Sequence, residues 1–373
     1  MIKKWGRIIK MKIDIYSIMI MAISIMFVLI TFYLWLKYGK EDNDMEVIEE
    51  FYPPKECNSL ETGYIYKRYI DKKDVVSLLI YLANKGYLKI EQTTDQGIFK
   101  KSKGFRIIKI KEYEGNNEIE KIFLEELFFH SDNSVTGLQL KDNFEKATEK
   151  VKKIISDNKE NKEKFFLPRP KKVIKNLTAM ILLMYALITI KPIIEFYGII
   201  FGWILALFQM IITIIGFVFL FISIWGNGPK TTKIVLAIFG NICIIPTLID
   251  IIWPALLANK NNLLLYIIEI ICIIILIIFM GKMHKRTQYG NELFVKIKGF
   301  RRFFKITEKS QLKRLIMQDS KYFYDILSYI YVLDEYEIWM KYFKEMDLKI
   351  PSWYNSKEDL CMQDFLNFLL KQL

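Results

Sequence analysis

Long uncharged apolar runs alternate along the chain with charge-rich stretches of amphipathic pattern, and this division sets its organisation. The apolar runs cover residues 15–36, 177–190, 199–224, 234–249 and 263–280. Several reach the roughly 20 residues that a helix needs to cross a hydrocarbon core. The first run is flanked by Lys10, Lys12 and Lys37 and ends in Phe32, Tyr33 and Trp35, which suit a headgroup belt. It predicts one spanning helix. A secretory signal peptide is the competing reading, opposed by the length of the run and by the lack of a small-x-small cleavage pattern after it. Leu177–Ile190 is short, but the helix extends to about Tyr197 if Lys191 snorkels. Ile199–Ile224 carries a single amide, Gln209. The segments from Ile234 to about Leu257 and from Leu263 to Met280 predict a helical hairpin around Asn259–Asn262, and Gly226-Asn-Gly-Pro229 breaks the chain before it.

Between the first two runs, residues 40–176 hold 27 Lys+Arg against 25 Asp+Glu, with apolar positions spaced as in a folded module. Asp71 is an N-cap with Asp74 three residues on; Val75, Leu78, Leu79 and Leu82 recur at helical spacing, and Gly86 stops the helix. Residues 87–92 and 104–111 alternate like strands around a turn at Asp95-Gln96-Gly97. Helix, strand, turn and strand predict the tail of a winged-helix-like unit, followed by helices over Ile119–Phe129 and Leu138–Ile155. After the last run the chain is basic, then aromatic and helical. Phe323, Ile326, Leu327, Ile330 and Leu333 mark one apolar face, and Trp339 with Phe343 another.

The fold class expected is an α-helical multi-pass membrane protein with an inserted α+β winged-helix-like cytosolic module and a helical C-terminal region. Its parts are a basic segment at 1–14, a transmembrane helix at 15–36, the module at 40–176, a block of about four transmembrane helices at 177–281, and a membrane-proximal helical region at 282–373. Composition agrees with membrane placement: 52% of residues are hydrophobic and 15% aromatic, with a mean hydropathy of +0.18. Four scattered cysteines and two histidines exclude a disulfide framework and a His/Cys zinc cluster. Lys and Arg near the membrane ends number 17 on the module's side against seven on the other, which predicts a cytosolic module and C-terminal region and an outside N-terminus. The basic residues before position 14 pull the other way.

Candidate chemistry is sparse. Asp250 and Glu269 lie about eight residues on either side of the 259–262 turn, each on the order of 12 Å below that surface. They are expected to share a layer that Gln209 could reach. A carboxylate at the centre of the hydrocarbon costs about 2.5–3.5 kcal/mol, so such acids face a partner or a wet cavity, and a proton or cation site is one reading. Shallow placement beside Trp253-Pro254, or simple bonding to a neighbouring helix, is the plainer and preferred one. Lys100, Lys101, Lys103, Arg106, Lys109 and Lys111 form a basic strand without an acid. Lipid contact or a solvated face accounts for it better than a protein partner, and nucleic acid is disfavoured because the module carries only +2. A second basic strip, Lys282–Arg302 with Arg301 and Arg302, interleaves with Phe294, Phe300, Phe303 and Phe304 and predicts an amphipathic helix on the inner leaflet. His130 beside Ser131 and Asp132 is no triad by adjacency. Cys57 is an isolated thiol, and Cys243 and Cys272 suit packing in apolar helices. No nucleotide-binding or hydrolase motif is found, so the expectation is a non-enzyme without a cofactor or metal.

A set of short motifs identifies a relationship. Pro53-Pro54, Glu61-Thr-Gly-Tyr64 and the run from Asp71 to Ile90 are followed after the apolar block by Arg286-Thr287 with Gly290, then Lys298-Gly-Phe-Arg-Arg-Phe-Phe304 and Glu308, then Pro351-Ser-Trp-Tyr354. Over roughly residues 50–354 the chain resembles the YciQ-like membrane proteins, domain-of-unknown-function family 2207. The resemblance implies a cytosolic core but no reaction, substrate or cofactor. Members typically carry an extracytoplasmic β-rich domain and often a Gly/Ser-rich tail. Residues 1–14 are too short for the former and the end lacks glycine, so a truncated or split arrangement is expected. Leu327-Ser-Tyr329 and Asp334 depart from the family's Leu-Pro-Tyr and later Gly. The partners expected are the lipid bilayer and a protein, such as a separately encoded extracytoplasmic domain. The function expected is a membrane-anchored scaffold or interaction protein, with a small transporter or channel component and a membrane-tethered DNA regulator as alternatives.

Overall fold

The structure is a computed structural model describing residues 15–41, 45–96, 101–131, 133–157, 163–168, 170–225, 230–258, 263–306, 309–319, 321–336 and 351–355. In chain order its elements are α1 (Ile15–Tyr38), α2 (Ser59–Lys67), α3 (Lys72–Asn84), β1 (Leu88–Gln96), β2 (Lys101–Lys109), α4 (Glu118–Leu127), β3 (Ser134–Thr136) and α5 (Gly137–Asp157). They continue with α6 (Lys171–Tyr197), α7 (Ile199–Trp225), α8 (Lys230–Ala258), α9 (Leu263–Gly281), α10 (Gln288–Ile306), α11 (Lys309–Gln318), α12 (Tyr322–Val332) and β4 (Tyr354–Asn355). Two units result, each from two stretches of chain: a helical block of Met1–Glu41 with Pro168–Lys285, and a globular unit of Asp42–Leu167 with Arg286–Leu373.

In the helical block, α1 packs on α9 and α6, while α6 also packs on α7, α8 and α9. Ile20, Phe27, Leu177, Ile181, Met184, Ile188, Ile273 and Leu276 fill the interior. The outer faces are apolar as well: Ile199, Ile200, Phe201, Phe208 and Ile211 on α7, and Ile234, Ile238 and Ile242 on α8, are exposed. An apolar exterior of this extent belongs in hydrocarbon rather than water. Two buried hydroxyls of α1 bond back to their own helix, Ser24 to the Ile20 carbonyl at 2.9 Å and Thr31 to that of Phe27 at 2.8 Å, so both donors are satisfied within the segment. Three helices are long and apolar enough to span a bilayer: Ile18–Tyr38, Lys171–Ile190 and Ile199–Ser223. In α8 and α9 the apolar stretches among the described residues are shorter, Thr232–Pro246 and Tyr266–Gly281, so five spans are not established.

The globular unit is mostly helical around a small mixed sheet of order β3-β2-β1-β4. Both halves of a capping box start α2 at Asn58/Glu61 and α3 at Asp71/Asp74, and Gly86 ends the α3 turn at φ +80°. The β1–β2 hairpin is longer than the alternation suggests: Asp95 and Gln96, expected in the turn, pair with Ser102 and Lys101. Backbone pairing continues past the point where the apolar alternation fades, because the ladder needs only N–H and C=O groups.

The C-terminal region differs from expectation in two ways. It is not purely helical, since Tyr354–Asn355 adds a strand parallel to β1 at Ile90–Glu91. Nor is its aromatic face turned to lipid: Phe300, Phe303 and Phe304 are buried in one core with Leu60, Ile65, Leu78, Phe123 and Ile326. The basic-aromatic pattern of α10 therefore comes from a helix covering a protein core, a pattern that a helix on a membrane surface shares. Tyr329 and Tyr322 tie the two stretches together, donating to the carbonyls of Cys57 at 3.0 Å and Phe51 at 2.6 Å. The segment from Trp339 to Phe343, Cys361 and the chain end lie outside the described residues.

Candidate functional site

Burial of polar groups picks out two places, one in each unit. In the helical block, Glu269 on α9 has no exposed surface, and neither carboxyl oxygen has a hydrogen-bond partner among the described residues. Cys272 lies one turn along α9, and α1, which carries Tyr16, packs on that helix. The Tyr16 hydroxyl itself donates to the Leu187 carbonyl at 3.0 Å. Gln209 on α7 is buried too, one turn from Thr213, whose hydroxyl lies 2.6 Å from that of Tyr185 on α6. The helices of Gln209 and Glu269 thus both pack on α6. Asp250 falls within α8, but its side chain lies outside the described residues, and so does its shared layer with Glu269.

The basic strand is less uniform in three dimensions than along the sequence. Lys100 lies outside the described residues, and Lys101 and Lys103 are described only as members of β2. Arg106 is exposed but stands opposite Glu91 of β1, Lys109 pairs with Glu112, and Lys111 lies over the Tyr87 ring at 4.6 Å. Arg301 is engaged by Glu335 at 2.7 Å and by the Tyr66 hydroxyl, while exposed Arg302 approaches Glu49 at 3.9 Å. Reading one strand alone misses the acids supplied by its neighbours.

A polar network in the globular unit escaped the sequence reading. Asn58 donates from its side chain to Glu120 at 2.9 Å and from its backbone to Glu61 at 3.0 Å. Tyr113 donates to Glu120 at 3.0 Å, and Asn117 donates to Glu61 at 3.3 Å while capping α4 through the amides of Ile119 and Glu120. Burial raises both glutamates above the ordinary carboxylate range, outweighing these hydrogen bonds. The neighbouring Cys57 thiol is pushed up to about 12 by burial and by the charge of Glu61. Nearby, burial raises Asp74 to about 7 despite its ion pair with Lys67, whose own value is held up by Asp74 and Asp71 against burial. The signal in the sequence was the spacing Asn58-x-x-Glu61, a capping box, but only the fold places Glu120 beside it.

Arg286 is the other polar anchor. It is buried, donates through Nε and Nη2 to the Ile65 carbonyl at 3.1 and 2.7 Å and through Nη2 to that of Tyr66 at 3.3 Å, and lies over the Phe294 ring at 3.6 Å. It thus neutralises the carbonyl end of α2. The next residue, Thr287, donates from its amide to the Phe165 carbonyl at 3.0 Å and from its hydroxyl to that of Lys164 at 2.8 Å, and Arg286 forms a β-bridge with Phe166. A Cβ on Gly290 would stand 2.1 Å from the Phe165 carbonyl oxygen, and one on Gly299 would stand 1.9 Å from that of Ile48. Glycine at both positions lets another strand of chain pass against α10.

An open cleft of about 320 Å³ is lined by Lys109, Glu112, Lys121, Glu125, His130 and Ser131 among others. Acidic, basic and apolar side chains all contribute to its lining. The Ser131 side chain contacts the Phe129 carbonyl at 3.4 Å and the Gln139 amide at 3.2 Å, so it takes part in a turn.

The family described as Predicted membrane protein (DUF2207) C-terminal domain matches the chain over residues 48–234 and 227–343. These matches cover more than half of the chain, and the chain belongs to that family. No curated protein and no solved structure matches it.

Proposed function

We propose that this member of the predicted membrane protein (DUF2207) family is a non-enzymatic membrane-anchored interaction protein. Its globular unit is read as cytosolic and winged-helix-like, and its block as carrying α8 and α9 as further spans. The observation that carries the reading is that residues before and after the helical block build one core, as in the Tyr329 bond to Cys57 and the Arg286 bonds to Ile65. The chain connects such a unit to the block at Asp42, Leu167 and Arg286, which suits an anchored module. The count of basic residues supports the cytosolic side. The ion pairs of Lys109 and Arg301, with Arg106 standing opposite Glu91, leave less free positive charge for DNA phosphates and favour a protein contact.

Buried Cys57 is a poor reporter of sidedness. An Asn133→Cys variant places a thiol at an exposed position instead. It should resist a membrane-impermeant maleimide in intact cells and react after lysis. Proteoliposomes of the full chain should carry no ion or proton flux above empty vesicles. Labelling in intact cells overturns the cytosolic reading, and a flux abolished by Glu269→Gln replaces the interaction reading with that of a transporter, for which buried Glu269 is the supporting observation.

A further inference from the structure

A carboxyl group in the interior of a membrane helix bundle can be tolerated through a cation, a set of hydrogen-bond donors, or a proton. Among the described residues, Glu269 has neither of the first two: it is fully buried and both oxygens lack a hydrogen-bond partner. The core of the helical block is mostly aliphatic, with Ile20, Ile181, Ile188 and Ile273 beside Tyr185 and Tyr266. A metal cation is a poor occupant, because calcium takes about 6–8 oxygen ligands and magnesium six, whereas no group of three or more His, Cys, Asp or Glu is placed to hold one among the described residues. A proton needs no second ligand. It converts the carboxylate into a neutral group whose burial costs far less than that of the ion.

We propose that Glu269 is a reversible proton-binding site inside the helical block. The inference rests on the membrane placement of α9 and not on the interaction reading. The described titratable groups of the same interior cluster are Tyr16 on α1, Tyr185 on α6, and Tyr266 and Cys272 on α9 itself. On α6 and α8, which also pack on α9, the side chains of Lys191, Glu195 and Asp250 lie outside the described residues.

Dicyclohexylcarbodiimide provides the probe, because it partitions into lipid and reacts with protonated carboxyl groups. The acid proton passes to one carbodiimide nitrogen, the carboxyl oxygen bonds to the central carbon, and the adduct rearranges to a stable N-acylurea with nothing leaving. The full chain in lipid nanodiscs is treated at pH 6 and pH 9, and the peptide containing Glu269 is read by mass spectrometry. The expected result is an adduct on Glu269 that is at least several-fold more abundant at pH 6, absent in Glu269→Gln, retained in Glu269→Asp, and not formed by a water-soluble carbodiimide. Equal melting temperatures of wild type and Glu269→Gln show that loss of the adduct is not loss of the fold. No adduct at pH 6, equal yields at both pH values, or equal labelling by the water-soluble reagent overturns the proposal. An adduct without vesicle flux supports the site and leaves the interaction reading in place.

Discussion

Replacing Arg286 with alanine tests how far one side chain holds the globular unit together. The substitution removes the donors to the carbonyls of Ile65 and Tyr66 and the stacking on Phe294. A hydrogen bond from a charged group contributes about 1.5–3 kcal/mol, and a desolvated cation–π contact roughly 0.5–2 kcal/mol. The terms overlap, since one guanidinium makes all of them, so the expected loss is about 3–5 kcal/mol. At about 2–4 °C per kcal/mol for a unit of this size, the melting temperature of the detergent-solubilised chain should fall by roughly 6–20 °C. Arg286→Lys keeps the charge but loses the planar fork and the stacked face, and should fall about half as far. The measurement is tryptophan fluorescence during heating, with pulse proteolysis as an independent readout. If both variants melt within 1 °C of wild type, the carbonyl end of α2 does not depend on this guanidinium and the reasoning is wrong.

Three further outcomes are expected. Gly299→Ala forces a Cβ against the Ile48 carbonyl oxygen and should lower stability by about 1–3 kcal/mol, measured as a shift in the same melt. Burial raises Glu61 and Glu120 in the folded state above their ordinary value of 4.5, so the folded unit binds more protons than the unfolded chain. Stability should therefore be greatest below about pH 4.5 as far as these groups are concerned, and should decline as pH rises through their raised values; Glu120→Gln should flatten that slope in a pH series of denaturant melts. Tyr329→Phe leaves the Cys57 carbonyl without its donor and should cost about 1–3 kcal/mol in denaturant unfolding, with no change in the yield of membrane-inserted protein.

The sequence made local features legible and left assembly obscure. The cap at Asp71, the stop at Gly86 and the apolar run of α1 each depend on a few neighbouring residues, and each is present. What could not be read depends on residues far apart in sequence. The aromatic face of α10 has the same pattern whether it meets lipid or a protein core, and only the fold brings Ile48, Leu60 and Ile326 to it. Likewise Glu61 and Glu120 look like two surface acids until Asn58 and Asn117 join them. Glu269 was visible as an acid in an apolar run, but its complete burial required the neighbouring helices.

The bridge between Phe166 and Arg286, reinforced by Thr287, closes the points at which the chain leaves the globular unit and returns to it. From that unit's side, Pro168–Lys285 is a hairpin loop of unusual length whose stem is already fastened. Trimming the loop to a tight turn therefore asks for no new closure in space, and a water-soluble version of the unit becomes a matter of splicing two adjacent ends.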